Sequence, residues 1–175
     1  MRIIAGYLGG RTFNSPNSNR THPMSDKARG GLFNALGDIS GLTMLDAFAG
    51  SVALSFEAIS RDAESVVAID IDKKAQTAIQ ESIKSLGLGD KIKAIRANAS
   101  GWSDNNPDQQ FDIVIAAPPY DVLQLFIVTK MINHVKPGGL FILDWPAKTP
   151  VPVFAGLKVV AEHNYGDAQL IFFRG

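Results

Sequence analysis

The chain of 175 residues has a formal net charge of zero and contains no cysteine, which excludes disulfides, thiolate metal sites and a cysteine nucleophile. Hydrophobic residues make up 46% and charged residues 19%, a composition typical of globular proteins. No apolar run approaches the roughly 20 residues that span a bilayer, and no signal-peptide pattern is present. We therefore expect a single soluble, cytoplasmic domain over residues 1–175 that does not bind a membrane.

The first 40 residues predict an extension to the main fold. Two short strands, 2–6 and 10–13, flank a glycine-rich turn and suggest a β-hairpin. After a polar loop, Ser25 suits the N-cap of a helix that ends at Gly37. Five basic residues against one acid give residues 1–31 an excess of four positive charges, which could contact phosphates or could be a solvated surface. These basic residues are Arg2, Arg11, Arg20, Lys27 and Arg29.

Residues 41–175 alternate between apolar strands and amphipathic helices. Such repeats predict an α/β fold with a parallel sheet covered on both faces. The last two strands have no helix between them and suit an antiparallel pair. A first strand is predicted from Thr43 and a first helix from Ala53. The further predicted strands are 65–71, 92–97, 111–116, 140–144, 157–162 and 168–174. The further predicted helices are 73–86 and 122–135, and 101–110 is predicted to be a polar loop.

The segment 45–51 joins the end of a buried strand to a tight loop of small residues, and a helix follows. A strand, a glycine turn and a helix N-terminus present free backbone N–H groups at the carboxyl edge of a sheet, where nucleotide-like ligands bind. An ordinary connection turned by Gly50 would show the same pattern. Asp70, about 20 residues later, could accept the hydroxyls of a ribose. Asn98 ends the next strand and could accept an adenine amine proton, so the two suggest an adenosine site.

A Pro-Pro-Tyr corner follows the predicted strand 111–116. Two prolines end the strand ladder, fix two φ angles at about −65° and hold the Pro118 carbonyl rigidly outward. Tyr120 offers a flat face on which a base can stack. This corner is a more specific signal than the glycine loop, because strand termination alone does not need it.

Together these motifs resemble the S-adenosylmethionine-dependent methyltransferases. The resemblance is strongest to the bacterial family that methylates the exocyclic N2 amine of a guanine in small-subunit ribosomal RNA. It extends over nearly the whole chain, and the N-terminal block is its most distinctive part. The matching segments are MRIIAG (1–6), GR (10–11), THPMSDKARGGLFN (21–34), DAFAGS (46–51), EAISR (57–61), PPY (118–120) and YGD (165–167).

The resemblance implies a Rossmann-like sheet of seven strands, mostly parallel with an antiparallel last strand, and an N-terminal hairpin and helix (residues 1–40) that grip RNA. It implies that S-adenosylmethionine is bound by six residues of the core (residues 41–175) and that the target base lies over Pro118, Pro119 and Tyr120. The implied cofactor contacts are Asp46, Phe48, Gly50, Asp70, Asn98 and Ala99. The candidate RNA contacts are Arg11, Arg20, Lys27 and Arg29, although Arg29 could equally pair with Asp26.

Two residues depart from the family pattern at the site of the chemistry. Ala117 stands where the family has Asp or Asn, so the side-chain oxygen that would orient the target amine is missing, and such a loss typically costs about 10²- to 10³-fold in rate. Val52 stands where the family usually has glycine. A β-branched residue is expected to exclude positive φ and to add bulk against the methionine arm, which would weaken cofactor binding.

Three functions therefore remain open. The first is RNA guanine-N2 methylation, slowed by Ala117 and Val52, through direct transfer without a metal or a covalent enzyme intermediate. The second is a non-catalytic homologue that binds RNA or cofactor without turnover. The third is DNA adenine amino-methylation, which shares the Pro-Pro-Tyr corner but not the N-terminal block. The scattered His22, His134 and His163 suggest no metal site, and we expect a monomer whose partner is ribosomal RNA or the small-subunit particle.

Overall fold

The computed structural model describes residues 1–15 and 24–175. Its described part contains five helices and seven strands. The helices are α1 (Asp26–Leu36), α2 (Ala53–Ser60), α3 (Lys73–Leu86), α4 (Ala99–Asn105) and α5 (Leu125–Ile132). The strands are β1 (Thr43–Ala47), β2 (Ser65–Asp70), β3 (Ile92–Arg96), β4 (Phe111–Ala116), β5 (Val135–Pro146), β6 (Lys158–Tyr165) and β7 (Ala168–Arg174).

The seven strands form one sheet in the order β3-β2-β1-β4-β5-β7-β6. The neighbours from β3 to β5 pair in parallel, whereas β7 is antiparallel to both β5 and β6. The predicted fold class, a mostly parallel seven-stranded sheet with an antiparallel last strand, is therefore confirmed. The carboxyl ends of β1, β2, β4 and β5 consequently meet at one edge of the sheet, where α/β proteins place their sites.

Two apolar clusters pack against the sheet, one on each face. Ile113 and Ile115 belong to the first cluster, while Val114 and Ala116 belong to the second, as the alternation of side chains along a strand requires. Helices α1, α2 and α3 contribute to the first cluster, and α4 and α5 contribute to the second. This three-layer arrangement leaves the loops at the carboxyl edge free to line a site.

The N-terminal segment lies against α2 and shares its core. Ile3, Leu8 and Phe13 are buried in the first cluster. The buried Glu57 carboxylate accepts hydrogen bonds from the backbone N–H groups of Ile4 (2.8 Å) and Ala5 (3.1 Å). The EAISR segment of the sequence thus serves to attach the N-terminal turn to the sheet.

Several element boundaries differ from the sequence prediction. The predicted N-terminal hairpin is reduced to one bridge between Arg2 and Thr12, although the turn between them is closed by backbone hydrogen bonds. The predicted polar loop 101–110 is wrong over residues 101–105, because α4 occupies Ala99–Asn105, whereas residues 106–110 form no helix or strand. The residues of α4 are poor helix formers, but the Asn98 side chain caps the helix and Trp102 is buried against His134.

Helix α5 is shorter than predicted and β5 is longer. Residues 121–124 belong to the turn after the Pro-Pro-Tyr corner, and Gln124 enters α5 with a left-handed φ of 44°. Strand β5 begins at Val135, ahead of the predicted 140, because the pairing with β4 continues across an irregular register between Phe111 and Ile113. By contrast, α1 begins at the predicted Ser25 cap and ends at Gly37, whose φ is 71°.

Candidate active site

Asp46 is the most deeply buried acid at the carboxyl edge. It is fully buried in β1, and one oxygen, Oδ2, accepts a hydrogen bond from the Ser55 hydroxyl of α2 at 2.6 Å. The other oxygen, Oδ1, has no hydrogen-bond partner among the described residues. Burial raises the pKa of Asp46 to about 7, the Ser55 hydrogen bond opposes this shift, and the negative charge of Asp70 adds to it. The site therefore holds a buried acceptor that a cationic or N–H-bearing ligand can satisfy.

The loop between β1 and α2 has an unusual backbone. Phe48, Gly50 and Val52 have φ angles of 67°, 52° and 60°, which is the left-handed region. The Gly50 N–H donates to Asp70 Oδ2 at 2.7 Å, and the backbone N–H of Asp72 donates to Asp70 Oδ1 at 2.8 Å. Asp70 at the end of β2 thus ties the loop to the neighbouring strand and brings two of the predicted cofactor residues together.

Val52 corrects one expectation from the sequence. A β-branched residue was expected to exclude positive φ at this position, yet Val52 adopts a φ of 60° at the N-cap of α2. Its side chain is fully buried within the first apolar cluster. Packing in the core compensates for the strained backbone, and the bulk of the side chain lies in the core.

The predicted adenosine side of the site is formed by the loops after β2 and β3. Asn98 Oδ1 accepts a hydrogen bond from the Ser100 N–H at 2.9 Å and a longer one from the Gly101 N–H, so it caps α4. This cap competes with the predicted role of that oxygen as an acceptor for adenine. Ala99 is buried in the first turn of α4. Ile71, which the sequence prediction overlooked, is 64% exposed directly after Asp70 and offers an apolar surface to a purine.

The Pro-Pro-Tyr corner lies beside the end of β1. Ala47 and Ala116 are paired across β1 and β4, and the Ala117 N–H donates to the Ala47 carbonyl at 3.4 Å. Pro118 is buried, and its carbonyl accepts no hydrogen bond from the described residues. Tyr120 is 41% exposed, so its ring remains accessible. The geometry is compatible with a base held over this corner.

Asp144 is an acidic residue at the Pro-Pro-Tyr corner that the sequence prediction missed. It is 8% exposed near the end of β5, and the Tyr120 hydroxyl donates to its Oδ1 at 2.5 Å. Burial raises the pKa of Asp144 to about 6, opposed by the Tyr120 hydrogen bond. Burial, followed by the charge of Asp144, raises the pKa of Tyr120 above its usual range. The signal was present in the sequence, because Asp144 ends a predicted strand as Asp70 does.

These residues fit S-adenosylmethionine. The unpartnered Asp46 Oδ1 is an acceptor suited to the ammonium group of its methionine part, and the Asp70 carboxylate retains lone pairs for ribose hydroxyls. The exposed Ile71 can cover one face of the adenine. The described residues contain no cluster of His, Asp and Glu able to hold a metal ion. His134 is occupied by Ser103 (2.8 Å) and by the Gln109 carbonyl (2.7 Å).

The predicted RNA contacts fall into different environments. Arg11 and Lys27 are exposed, and Arg20 lies outside the described residues. Arg29 is fully buried, so its prediction as an RNA contact is corrected. Its guanidinium donates to Asp26 Oδ1 and to the Arg2 carbonyl, both at 2.8 Å. The helical spacing between Asp26 and Arg29 was the better indication of its role.

Two surface cavities lie away from this edge. One, of about 210 Å³, lies between α4 and α5, and the other, of about 240 Å³, lies between the N-terminal turn and α3. Neither is lined by the predicted cofactor residues. In the described part of the chain, no helix is both long enough and apolar enough to cross a bilayer.

The chain matches one protein family and is similar to proteins named as methyltransferases. The family described as Conserved hypothetical protein 95 matches residues 1–174. The Ribosomal RNA small subunit methyltransferase D of Haemophilus influenzae is 30% identical over 157 residues, covering 86% of this chain and 81% of the relative. Its Escherichia coli K12 namesake is 32% identical over 140 residues, covering 79% and 68%. The solved structure of a putative methyltransferase, yhhF, from Escherichia coli superimposes with a TM-score of 0.86 at 26% identity, covering 99% and 96%.

Proposed function

The chain belongs to the Conserved hypothetical protein 95 family and is a methyltransferase, and from this premise we propose that it methylates the N2 amine of a guanine in small-subunit ribosomal RNA. The observation that carries the proposal is that two pairs of side chains meet at the carboxyl edge of the sheet. Asp46 and Asp70 belong to β1 and β2, while Tyr120 follows β4 and contacts Asp144 of β5. The names of the relatives support ribosomal RNA as the substrate.

S-adenosylmethionine is the proposed methyl donor. When bound, it supplies a methyl group on a sulfonium, which an amine can attack directly. Asp46 and Asp70 would accept hydrogen bonds from its methionine and ribose parts, and Phe48, Gly50, Asn98 and Ala99 complete the proposed contact set. The close pairing of β1 with β4 supports placing the donor next to the corner, because Ala47 and Ala117 are hydrogen-bonded neighbours.

The Pro-Pro-Tyr corner would act mainly by positioning the base. A guanine swung out of its stack would lie on the exposed ring of Tyr120, and the free Pro118 carbonyl would accept one amine proton. Pro119 fixes the backbone between them. Transfer from a sulfonium requires mainly alignment and electrostatic stabilisation of the charge that develops on nitrogen.

Ala117 offers no side-chain oxygen to the amine, so the rate is expected to be low if no other group at the corner provides that acceptor. Ala117→Asn should introduce that acceptor and, where no other residue provides one, raise methyl transfer by about 10²-fold. The test is transfer of labelled methyl from S-adenosylmethionine to unmethylated small ribosomal subunits, to naked ribosomal RNA and to DNA. Identification of the labelled nucleoside as N2-methylguanosine would support the proposal.

Other outcomes favour the other functions. Binding of S-adenosylmethionine in a calorimeter, with no transfer by wild type but a gain in Ala117→Asn, would indicate a non-catalytic homologue. Labelled DNA with unlabelled RNA would indicate an adenine methyltransferase. The proposed substrate implies a cytoplasmic protein that acts as a monomer on ribosomal RNA or on the small-subunit particle.

A further inference from the structure

Asp144 makes no contact with the donor or the base in the proposed methyl transfer. Its Oδ1 accepts the hydrogen bond from Tyr120, but its Oδ2 accepts none from any described residue. It also forms no ion pair with a lysine or arginine in the part of the chain that the structure describes. A carboxylate that is more than nine-tenths buried without a cation is costly. Its contact with Tyr120 places this carboxylate at the corner where the base is proposed to lie.

The sheet register places Asp144 beside Ala117. Ala116 pairs with Leu143 across the parallel strands β4 and β5, so the next residues along the two chains are Ala117 and Asp144. Ala117 is the first residue after β4 and still donates to the Ala47 carbonyl of β1, while Asp144 lies within β5 and is paired with Leu170 of β7. Neighbours on adjacent strands are about 4.8 Å apart and project to the same face. A carboxylate therefore stands next to the position where the family pattern has its side-chain oxygen.

We propose that Asp144 supplies the hydrogen-bond acceptor for the target amine that Ala117 lacks. Oδ1 holds the Tyr120 hydroxyl and thereby fixes the ring on which the base stacks, while Oδ2 accepts a proton of the amine. Asp144 is then a catalytic residue that orients the amine lone pair. This inference rests on the proposed methylation of a base amine at this corner.

The chemical step balances with Asp144 as the proton acceptor. The lone pair of the amine nitrogen forms the new N–C bond, and the S–C bond breaks with its electrons remaining on sulfur as a thioether. The surplus proton on nitrogen passes to the Asp144 carboxylate and from there to solvent. A pKa of about 6, raised by burial, leaves Asp144 ionised at neutral pH but more basic than an exposed aspartate.

The experiment compares four variants with wild type on unmethylated small ribosomal subunits. Asp144→Leu should lower the single-turnover rate of methyl transfer by at least about 100-fold. Tyr120→Phe, which removes only the hydroxyl, should lower it by less than about tenfold. Asp144→Leu combined with Ala117→Asn should recover at least tenfold, because the introduced asparagine brings an acceptor to the vacant position. The exposed Asp121→Leu is the matched control and should keep the wild-type rate.

Two further readouts separate this role from a structural one. Affinity for S-adenosylhomocysteine by calorimetry should change less than threefold in Asp144→Leu, while affinity for the unmethylated subunit should fall. If Asp144→Leu does not fold, Asp144→Asn replaces it, and a rate loss of about tenfold is expected because asparagine can accept a hydrogen bond but cannot take up the proton.

Three results would overturn the inference. The first is a rate for Asp144→Leu within threefold of wild type. The second is an equal loss in Asp144→Leu and Tyr120→Phe that Ala117→Asn does not repair, which would mean that Asp144 acts only through the tyrosine. The third is an unchanged rate in Asp144→Asn. In each case wild type still methylates the RNA, whereas an inactive wild type would overturn the proposed function itself.

Discussion

Asp46 is a buried carboxyl group whose charge changes close to neutral pH. Its pKa is about 7 in the folded chain and 3.8 as the reference value, because burial disfavours the charged form. Between these two values the folded state binds a proton that the unfolded state has released. Folding stability from this group is therefore fully present below about pH 4 and is lost as the pH rises towards 7, by up to about 4 kcal/mol.

Asp46→Asn should remove most of this pH dependence. Asparagine has no charge to bury, so the variant should be more stable than wild type at pH 8 and similar to it near pH 4. Thermal unfolding between pH 4 and pH 8 measures the effect, with the exposed Asp108→Asn as a control. Asp144, with a pKa of about 6, contributes a smaller change of the same sign in both proteins. Equal slopes of stability against pH for variant and wild type would contradict the assignment.

Tyr120 should contribute to RNA methylation much more than to cofactor binding. Its ring is exposed at the corner and only its hydroxyl is bonded, so Tyr120→Ala removes a stacking surface worth about 1–3 kcal/mol per base. Methyl transfer to small subunits and affinity for S-adenosylhomocysteine are the two measurements. Phe126→Ala, at an exposed aromatic residue of α5, is the matched control. Equal losses of transfer and of cofactor affinity would exclude the stacking role.

At the scale of elements, α2 connects two parts of the molecule. Its N-terminus follows the loop between β1 and α2, and its C-terminal half holds the N-terminal turn through Glu57 and Ser60. The Ser60 hydroxyl accepts from the Leu8 N–H at 3.0 Å and donates to the Ala5 carbonyl. A Cβ at Gly6 would lie 1.7 Å from the Ser60 carbonyl oxygen, so only glycine fits there.

Glu57→Gln should destabilise the protein by about 3 kcal/mol. Glu57 is fully buried and pairs with the Arg61 Nε at 2.9 Å, while the Arg29 Nε lies 3.9 Å away. Removing its charge leaves a buried guanidinium with less compensation, and breaking a buried pair typically costs about 3–5 kcal/mol. Urea unfolding measures the change, and the exposed Glu64→Gln should stay within about 0.5 kcal/mol of wild type. A loss as small as that of the control would show that the buried charge is not needed.

The helices and strands differ in how accurately the sequence predicted their boundaries. Helix α1 was predicted to the residue because Ser25 and Gly37 mark its ends chemically. Helix α4 was missed because its glycine, serines and asparagine suit a loop, whereas the Asn98 cap and the burial of Trp102 against neighbouring elements favour a helix. The start of β5 was missed because a lysine, a proline and two glycines (136–139) separate Val135 from the apolar run, so pairing with β4 defines the strand.

At the scale of the whole molecule, the fold follows from alternating apolar segments, and the site follows from acids at strand ends. The sheet order could not be read from the sequence, since β7 inserts between β5 and β6. Nor could the burial of Arg29, because a basic residue on an amphipathic helix is usually exposed. Asp144 was overlooked although it ends a predicted strand, because only the pairing of β4 with β5 brings it to the Pro-Pro-Tyr corner.

The neutral chain should bind RNA with a modest salt dependence. Arg11 and Lys27 are exposed basic residues of the N-terminal region, and each should neutralise about one phosphate. Arg11→Glu with Lys27→Glu should weaken binding to small subunits and lower the slope of log K against log salt by about two. Lys158→Glu, exposed on the edge strand β6, is the control for a change of charge alone. An unchanged slope in the double variant would exclude these two residues from the RNA interface.

The shortness of α2 has a consequence for chimeric proteins. Eight residues of helix extend about 12 Å, so α2 rigidly links the loop that follows β1 to the anchor of the N-terminal turn. If residues 1–14 are replaced by those of a relative, the new segment can dock only where the recipient chain keeps Glu57 and Ser60. The two regions therefore have to be exchanged together, because exchanging either alone would leave mismatched partners at the far end of the same helix.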